Sequence, residues 1–156
     1  MKAFRMVSFC AVLAGLAAGC SSPAPSRPTD PAVATAASTA RLAFDQGKIE
    51  QAAQLYLRAL TRARSMDDSY EIANNAYNLA ACLITLGSYE PALSLLQEAD
   101  RETVRSGGSR VDILLLQARA AQKSGQPEAA RKRLDEAMAL ADQPEIRIQV
   151  DVLLAS

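Results

Sequence analysis

The stretch from residue 80 to residue 99, AACLITLGSYEPALSLLQEA, decides the fold. Two segments rich in Ala and Leu, which are strong helix formers, flank a turn that contains Gly87. Glycine ends a helix well because it adopts the left-handed conformation without a steric penalty. Pro91 follows where the next helix should begin, the one place where a helix tolerates proline. The stretch therefore predicts two helices joined by a tight turn.

The same spacing of small residues occurs three times along the chain. Ala80, Gly87, Ala92 and Ala99 are separated by 7, 5 and 7 residues. The same separations recur at Ala40, Gly47, Ala52 and Ala59, and again at Ala118, Gly125, Ala130 and Ala137. A large apolar residue lies four positions beyond the third member of each set: Tyr56, Leu96 and Leu134. The copies predict three helical hairpins, and the alternative is a plain helical bundle with a coincidental spacing.

The turns between these segments set the predicted helices. We expect helices near residues 34–46, 49–64, 69–86, 89–105, 110–124, 127–141 and 144–154. The last helix would lie over the third hairpin as a cap, because a repeat buries its apolar face only against a neighbour. No β-branched stretch of alternating polarity with hairpin signals occurs, so the predicted fold class is all-α.

The repeated small residues resemble those of the tetratricopeptide repeat, a helix–turn–helix unit with small residues in both helices and a glycine at the turn. The resemblance covers about residues 34–143 and implies a right-handed superhelix of about three repeats plus the C-terminal capping helix. In the first helix of each hairpin the aromatic and Leu-Gly positions of the family are degenerate, as at Thr39-Ala40. The spacings between the aligned glycines are 40 and 38 residues, against about 34 in the family. This is typical of the variant with longer helices and loops.

The N-terminus has the features of a secretory signal. Residues 1–5 carry two positive charges, and the apolar segment 6–18 is too short to span a bilayer. The segment ends Leu16-Ala17-Ala18-Gly19-Cys20, which resembles a bacterial lipobox with Ala17 where Leu is commonest. The resemblance implies a lipoprotein signal peptide over residues 1–19 and a covalent lipid on Cys20. The alternative is an ordinary signal cleaved after Gly19.

The region after the signal sets the expected localisation and domains. Ser21 instead of Asp follows the cysteine, and this resembles the sorting pattern for the outer membrane of an organism with two membranes. We therefore expect a lipid-anchored protein on the periplasmic face of the outer membrane. Residues 20–33 contain four prolines and predict an extended tether, and residues 34–156 form the repeat domain. Cys82 lies in an apolar run and is predicted to be a buried structural thiol.

Composition argues against several functions. The chain has no His, so it lacks the commonest general base and metal ligand, and no paired thiols or glycine-rich phosphate loop are present. Without residues 1–19 the chain has two more acidic than basic side chains, which gives no electrostatic case for nucleic acid. We expect no enzymatic activity, no metal and no cofactor apart from the lipid on Cys20.

The tetratricopeptide resemblance implies a concave groove lined by the first helix of each hairpin. Helical spacing places eight candidate residues there: Arg41, Phe44, Asn74, Tyr77, Asn78, Arg119, Gln122 and Lys123. Phe44 and Tyr77 would form an apolar floor, and Arg119 and Lys123 a basic end. The simpler interpretation is that the basic side chains are solvated and that Tyr77 packs between helices.

These features together predict a binding protein. The first hypothesis is an adaptor or scaffold that is anchored to the outer membrane and holds a protein or peptide partner in an envelope assembly. The second is a lipoprotein that binds cell-wall (peptidoglycan) fragments, with Arg41, Arg119 and Lys123 meeting carboxylates of the peptide stem. The third is a structural lipoprotein that forms a homo-oligomer through its apolar last helix.

Overall fold

The computed structural model describes residues 29–140, which form three helical hairpins. The helices are α1 (Pro31–Asp45), α2 (Ile49–Ser65), α3 (Ser69–Thr85), α4 (Tyr89–Ser106), α5 (Val111–Lys123) and α6 (Pro127–Leu140). The predicted all-α class and the three hairpins are confirmed, and these residues contain no strand. Cys20, the tether up to residue 28 and the predicted helix over residues 144–154 lie outside the described residues.

The first helix begins earlier than the predicted residue 34. Helix α1 starts at Pro31 because Asp30 caps it: the Asp30 carboxylate accepts from the backbone N–H groups of Ala32 at 2.9 Å and Val33 at 3.2 Å. Pro31 occupies the first helical position, where a missing N–H costs nothing. The last proline of the predicted tether is therefore the first residue of the repeat domain.

A residue with a positive φ lies in every turn within residues 29–140, and it is always glycine within a hairpin but not between hairpins. Gly47, Gly87 and Gly125 join the helices of each hairpin with φ of +74°, +77° and +77°. Any residue with a Cβ would be strained at these angles, which explains the three aligned glycines. Between hairpins, Gly107 has a φ of +76° and Asp67 has +51°. Asp tolerates this left-handed region better than most residues.

The core is built from small residues and a few large ones. Ala40, Ala80 and Ala92 are fully buried, and small side chains let neighbouring helices approach closely. The large residues between the helices of each hairpin are buried as predicted, with Tyr56 exposed by 5%, Leu96 by 0% and Leu134 by 3%. Burying a Leu side chain contributes roughly 1.5–3 kcal/mol, so these positions hold each hairpin closed.

Ion pairs connect successive hairpins along the outer surface. Arg64 on α2 donates to Glu98 on α4 at 2.8 Å, and Arg105 on α4 donates to Asp67 at 2.7 Å. The Arg105 guanidinium holds the pKa of the Asp67 carboxyl below its ordinary value. Such exposed pairs contribute little to stability, so hydrophobic packing sets the order of the hairpins. That packing brings α1 against α3 and α3 against α5, so the first helices of the three hairpins share one face.

Candidate functional site

A groove of about 470 Å³ opens between α1 and α3. Three elements line it: Ala37, Ser38, Arg41, Phe44 and Asp45 from α1, Tyr56 from α2, and Glu71, Asn74, Asn75, Asn78 and Ala81 from α3. Four of the eight candidate residues predicted from the sequence, Arg41, Phe44, Asn74 and Asn78, therefore share this groove. Its size is within the usual range for a ligand site.

The α1 side combines an apolar surface with charge. Phe44 is half-buried, whereas Arg41 and Asp45 are exposed at the rim. Tyr56 lies below them, and its pKa is raised mainly by burial, further by the Cys82 thiol and Asp45, and lowered by Arg41. The Tyr56 phenol therefore lies close to Cys82, Arg41 and Asp45. The α1 side of the groove thus offers an aromatic surface next to one cation and one anion.

Cys82 lies under this groove and confirms the predicted buried thiol. Its side chain is 0% exposed and forms no disulfide. Burial raises the pKa of the thiol to about 11. Because the thiolate is the reactive form, Cys82 is an inert part of the core at neutral pH.

The α3 side carries polar residues at two depths. Asn74 is exposed, and the half-buried Asn78 donates its side-chain amide to the Asn74 carbonyl at 2.8 Å. Below them, Glu71 is exposed by 8% and Asn75 by 1%. The Asn75 amide nitrogen donates to the Glu71 carbonyl at 2.8 Å and to its carboxylate at 3.3 Å. This gives the groove a polar floor on one side.

The other predicted residues lie elsewhere on the same array. Tyr77 is half-buried between α3 and α5 and packs against the main core. Burial raises its pKa, Asp112 raises it further and Arg119 lowers it, so these three residues form a second cluster. The structure therefore separates Tyr77 from Phe44, although the sequence predicted one common floor.

The end of the array holds the remaining two candidates. Gln122 lines a cavity of about 310 Å³ between α5 and α6, together with Leu134 and Arg131. Lys123 is the exposed last residue of α5. Neither residue lies near the Arg41 groove, so the predicted basic end is not continuous with it.

Sequence reasoning missed Glu71, Asn75 and the groove-facing role of Tyr56. A signal was present, because Glu71, Asn74 and Asn75 interrupt the apolar pattern of α3. Asn is a poor helix former, since its side chain competes for backbone hydrogen bonds. A helix that keeps three such residues, Asn74, Asn75 and Asn78, in one groove, with Asn75 buried, indicates a requirement beyond helix stability.

Two further properties follow from the described residues. No group of three or more His, Cys, Asp or Glu side chains within residues 29–140 is arranged to hold a metal ion. Within the same range, no helix has both the length and the apolar character needed to cross a membrane.

Comparison with known proteins agrees with the geometry. Residues 33–99 match the family model of the tetratricopeptide repeat. The chain is similar to the crystal structure of the TPR domain of Arabidopsis FLU, with 22% sequence identity and a TM-score of 0.66 over 69% of this chain and 92% of that one. It is also similar to the N-terminal domain of stress-induced protein-1 from C. elegans, with 16% identity and a TM-score of 0.64 over 80% of this chain and 98% of that one.

These similarities establish the fold. At 22% and 16% identity they show an all-α helical repeat array of the tetratricopeptide type, as the sequence predicted. No curated protein sequence matches the chain.

Proposed function

We propose that this tetratricopeptide-like array is an adaptor that holds an extended peptide or a segment of a partner protein in the groove between α1 and α3. The observation that carries this proposal is the composition of the groove. Phe44 and Tyr56 provide aromatic surface, while Arg41, Asp45 and Asn74 provide charge and hydrogen bonds at the rim. Binding sites combine such apolar walls with a few polar groups that fix orientation.

We further propose that the adaptor works in a bacterial envelope, anchored by a lipid on Cys20. The motif Leu16-Ala17-Ala18-Gly19-Cys20 followed by Ser21 supports this and favours the periplasmic face of the outer membrane. Ten residues, 21–30, separate Cys20 from the start of α1. An extended chain of that length reaches at most ~35 Å, which keeps the groove close to the membrane surface.

The groove is tested by crosslinked affinity capture of the full-length lipidated protein from intact cells, followed by mass spectrometry. The test variant is Phe44→Ala/Asn78→Ala, and the matched control is Arg58→Ala on the exposed side of α2. We expect one stoichiometric envelope protein to be captured by the wild type and the control and lost in the test variant. An identical capture list in all three samples contradicts the groove.

The anchor is tested separately, by metabolic labelling with palmitate and membrane fractionation. The wild type should carry label and sediment with membranes, whereas Cys20→Ser should lose both properties. Label on the Cys20→Ser variant contradicts the lipid assignment and leaves the groove proposal intact.

Cell-wall binding remains a second candidate because Arg41 stands at the rim of the groove, where it could meet a carboxylate of a peptide stem. Sedimentation of the protein with purified cell wall, compared with Arg41→Ala, distinguishes the two. Sedimentation that depends on Arg41 favours the cell wall, and no sedimentation contradicts it.

A further inference from the structure

The floor of the groove between α1 and α3 contains an unpartnered acceptor. Asn75 is 1% exposed, and its side-chain oxygen accepts no hydrogen bond from any of the residues that the structure describes. The amide cannot be turned over to correct this, because its nitrogen already faces two oxygens of Glu71, the carbonyl and a carboxylate oxygen. A flipped amide would place three oxygens together. The orphan oxygen is therefore fixed, and leaving a buried acceptor unpaired costs about 1–3 kcal/mol.

Next to Asn75 lies a carboxylate that forms no ion pair with any residue of the described range 29–140. Glu71 is 8% exposed and accepts hydrogen bonds from two neutral groups, the Thr29 hydroxyl at 2.9 Å and the Asn75 amide at 3.3 Å. The ion pairs found within residues 29–140 do not include Glu71. Buried carboxylates are normally paired with a cation. The floor thus holds a negative charge and a neutral acceptor side by side.

The repeat itself does not require these groups. With the hairpins aligned on Gly47, Gly87 and Gly125, Asn75 corresponds to Thr35 in the first hairpin and to Ile113 in the third. Ile113 is 5% exposed and packs in the main core. A hydrophobic side chain therefore satisfies the same position of the same fold. Folding alone does not explain why the second hairpin places an amide there.

We propose that this floor binds the cationic end of a Lys or Arg side chain of the bound peptide. An ammonium or guanidinium donates several hydrogen bonds and accepts none, which matches a site made of a carboxylate and an orphan oxygen. The apolar stem of such a side chain would lie against Phe44 and Tyr56, which line the same groove. This inference rests on the proposed peptide-binding function and names what the peptide must contain.

The charges at the rim fit the same occupant. Asp45 adds a second negative group on the α1 side. Arg41 is the one cation among the groove-lining residues of the described part, and it is exposed. Solvent screens an exposed guanidinium far more than a buried carboxylate is screened. Arg41 thus leaves the attraction of the floor for a cation in place.

The experiment is a selection of random heptapeptides, flanked by glycines, on the immobilised full-length chain. Four proteins are compared: wild type, Glu71→Gln, Asn75→Leu and the control Asp112→Asn in the Tyr77 cluster. Circular dichroism first establishes that each variant retains its helices. The wild type and Asp112→Asn should select peptides with Lys or Arg at one fixed position. Glu71→Gln and Asn75→Leu should each weaken binding of the selected peptides at least about tenfold, as loss of one partner of a buried charged pair does.

Three other outcomes would contradict the cation site, the peptide groove or both. A consensus without a basic residue refutes the cation site and leaves the peptide groove standing. A basic consensus that Glu71→Gln and Asn75→Leu bind as tightly as the wild type shows that the cation binds elsewhere, and it also refutes the inference. If the wild type selects no peptide, both the inference and the proposed function are wrong.

Discussion

The two junctions between neighbouring hairpins each bring a tyrosine, an arginine and an aspartate together, and they differ in the residues that lie below. At the first junction, Tyr56 lies beside Arg41 and Asp45, and at the second, Tyr77 lies beside Arg119 and Asp112. Each junction therefore has one tyrosine, one arginine and one aspartate. Below the rim, however, the first junction has Glu71 and Asn75, whereas the equivalent positions of the third hairpin are Ser109 and Ile113.

This difference in buried polar residues distinguishes positions that serve the repeat fold from positions that could serve a ligand. The arginines and aspartates are exposed at both junctions, so they can vary with little effect on stability and their presence says little about function. A polar residue at a buried position lowers stability, because an unpaired amide or carboxylate loses its hydration. The polar floor of the first junction therefore marks it as the specialised one, whereas the apolar Ile113 at the position equivalent to Asn75 serves packing.

The largest effect is expected when Ile113 is replaced by Asn, the residue at the equivalent position of the first junction, Asn75. Ile113→Asn should lower the free energy of unfolding by roughly 2–5 kcal/mol, because it removes buried apolar surface and leaves an amide without a partner. Thermal or urea unfolding followed by circular dichroism measures the change. The control Ile113→Val keeps the position apolar and should cost only about 0.5–1.5 kcal/mol. If both variants lose the same stability, the second floor is not a packed apolar site.

A smaller effect of opposite sign is expected at the first junction. Glu71→Gln should raise the free energy of unfolding by about 1 kcal/mol, because it removes a buried charge that no cation within residues 29–140 pairs with. The matched control is Asp112→Asn, which removes an exposed carboxylate and should change stability by less than about 0.5 kcal/mol. Urea unfolding of the unliganded protein measures both. A Glu71→Gln variant that is less stable than the wild type would show that Glu71 serves the fold.

The smallest effect concerns Tyr56 and Tyr77, the tyrosines of the two junctions. Burial raises both pKa values, and Arg41 lowers that of Tyr56 while Arg119 lowers that of Tyr77. Arg41→Ala should therefore raise the pKa of Tyr56 alone, and Arg119→Ala that of Tyr77 alone. NMR of tyrosines labelled with ¹³C at the ring carbon that bears the hydroxyl measures each phenol separately. A change in the pKa of both tyrosines in one variant would show that the two junctions form a single continuous site.

The same raised pKa values set a pH dependence of stability. A phenol that titrates later in the folded than in the unfolded protein stabilises the fold fully below the unfolded pKa, which is near 10. That contribution is lost as the pH rises through the folded pKa. Unfolding measured from neutral to alkaline pH should therefore show stability falling from about pH 9 upward. The Cys82 thiol acts in the same direction, since its pKa is about 11.

The hairpins could be predicted because their determinants are local. Gly47, Gly87 and Gly125 each adopt a backbone angle that other residues avoid, and a pattern of small residues around each glycine repeats at fixed distances. Pro127 opens α6 at the first helical position for an equally local reason. The observed start of α1 differs from the prediction because the prolines around Asp30 indicate a tether, although Asp before Pro is also a capping pattern.

The groove was predictable only in part. Helical periodicity placed Arg41, Phe44, Asn74 and Asn78 on the inner face, and these four do line one groove. It could not separate Tyr77 and Arg119 from them, since periodicity gives the face of a helix but not the distance between two helices. That distance depends on how α1, α3 and α5 pack, which the sequence alone does not state.

The sequence by itself thus determined the helices, their turns and their pairing into hairpins, because glycine, proline and small residues act through local backbone geometry. Only the tertiary structure decided that Glu71 and Asn75 are buried in the floor of a groove while the nearby Asn74 and Tyr70 remain exposed. Burial is a property of the neighbours that surround a side chain, and here those neighbours come from α1 and α2, which precede α3 in the chain. The sequence specifies which residues are polar, but the packing of the folded chain determines how much each of them lowers or raises the stability.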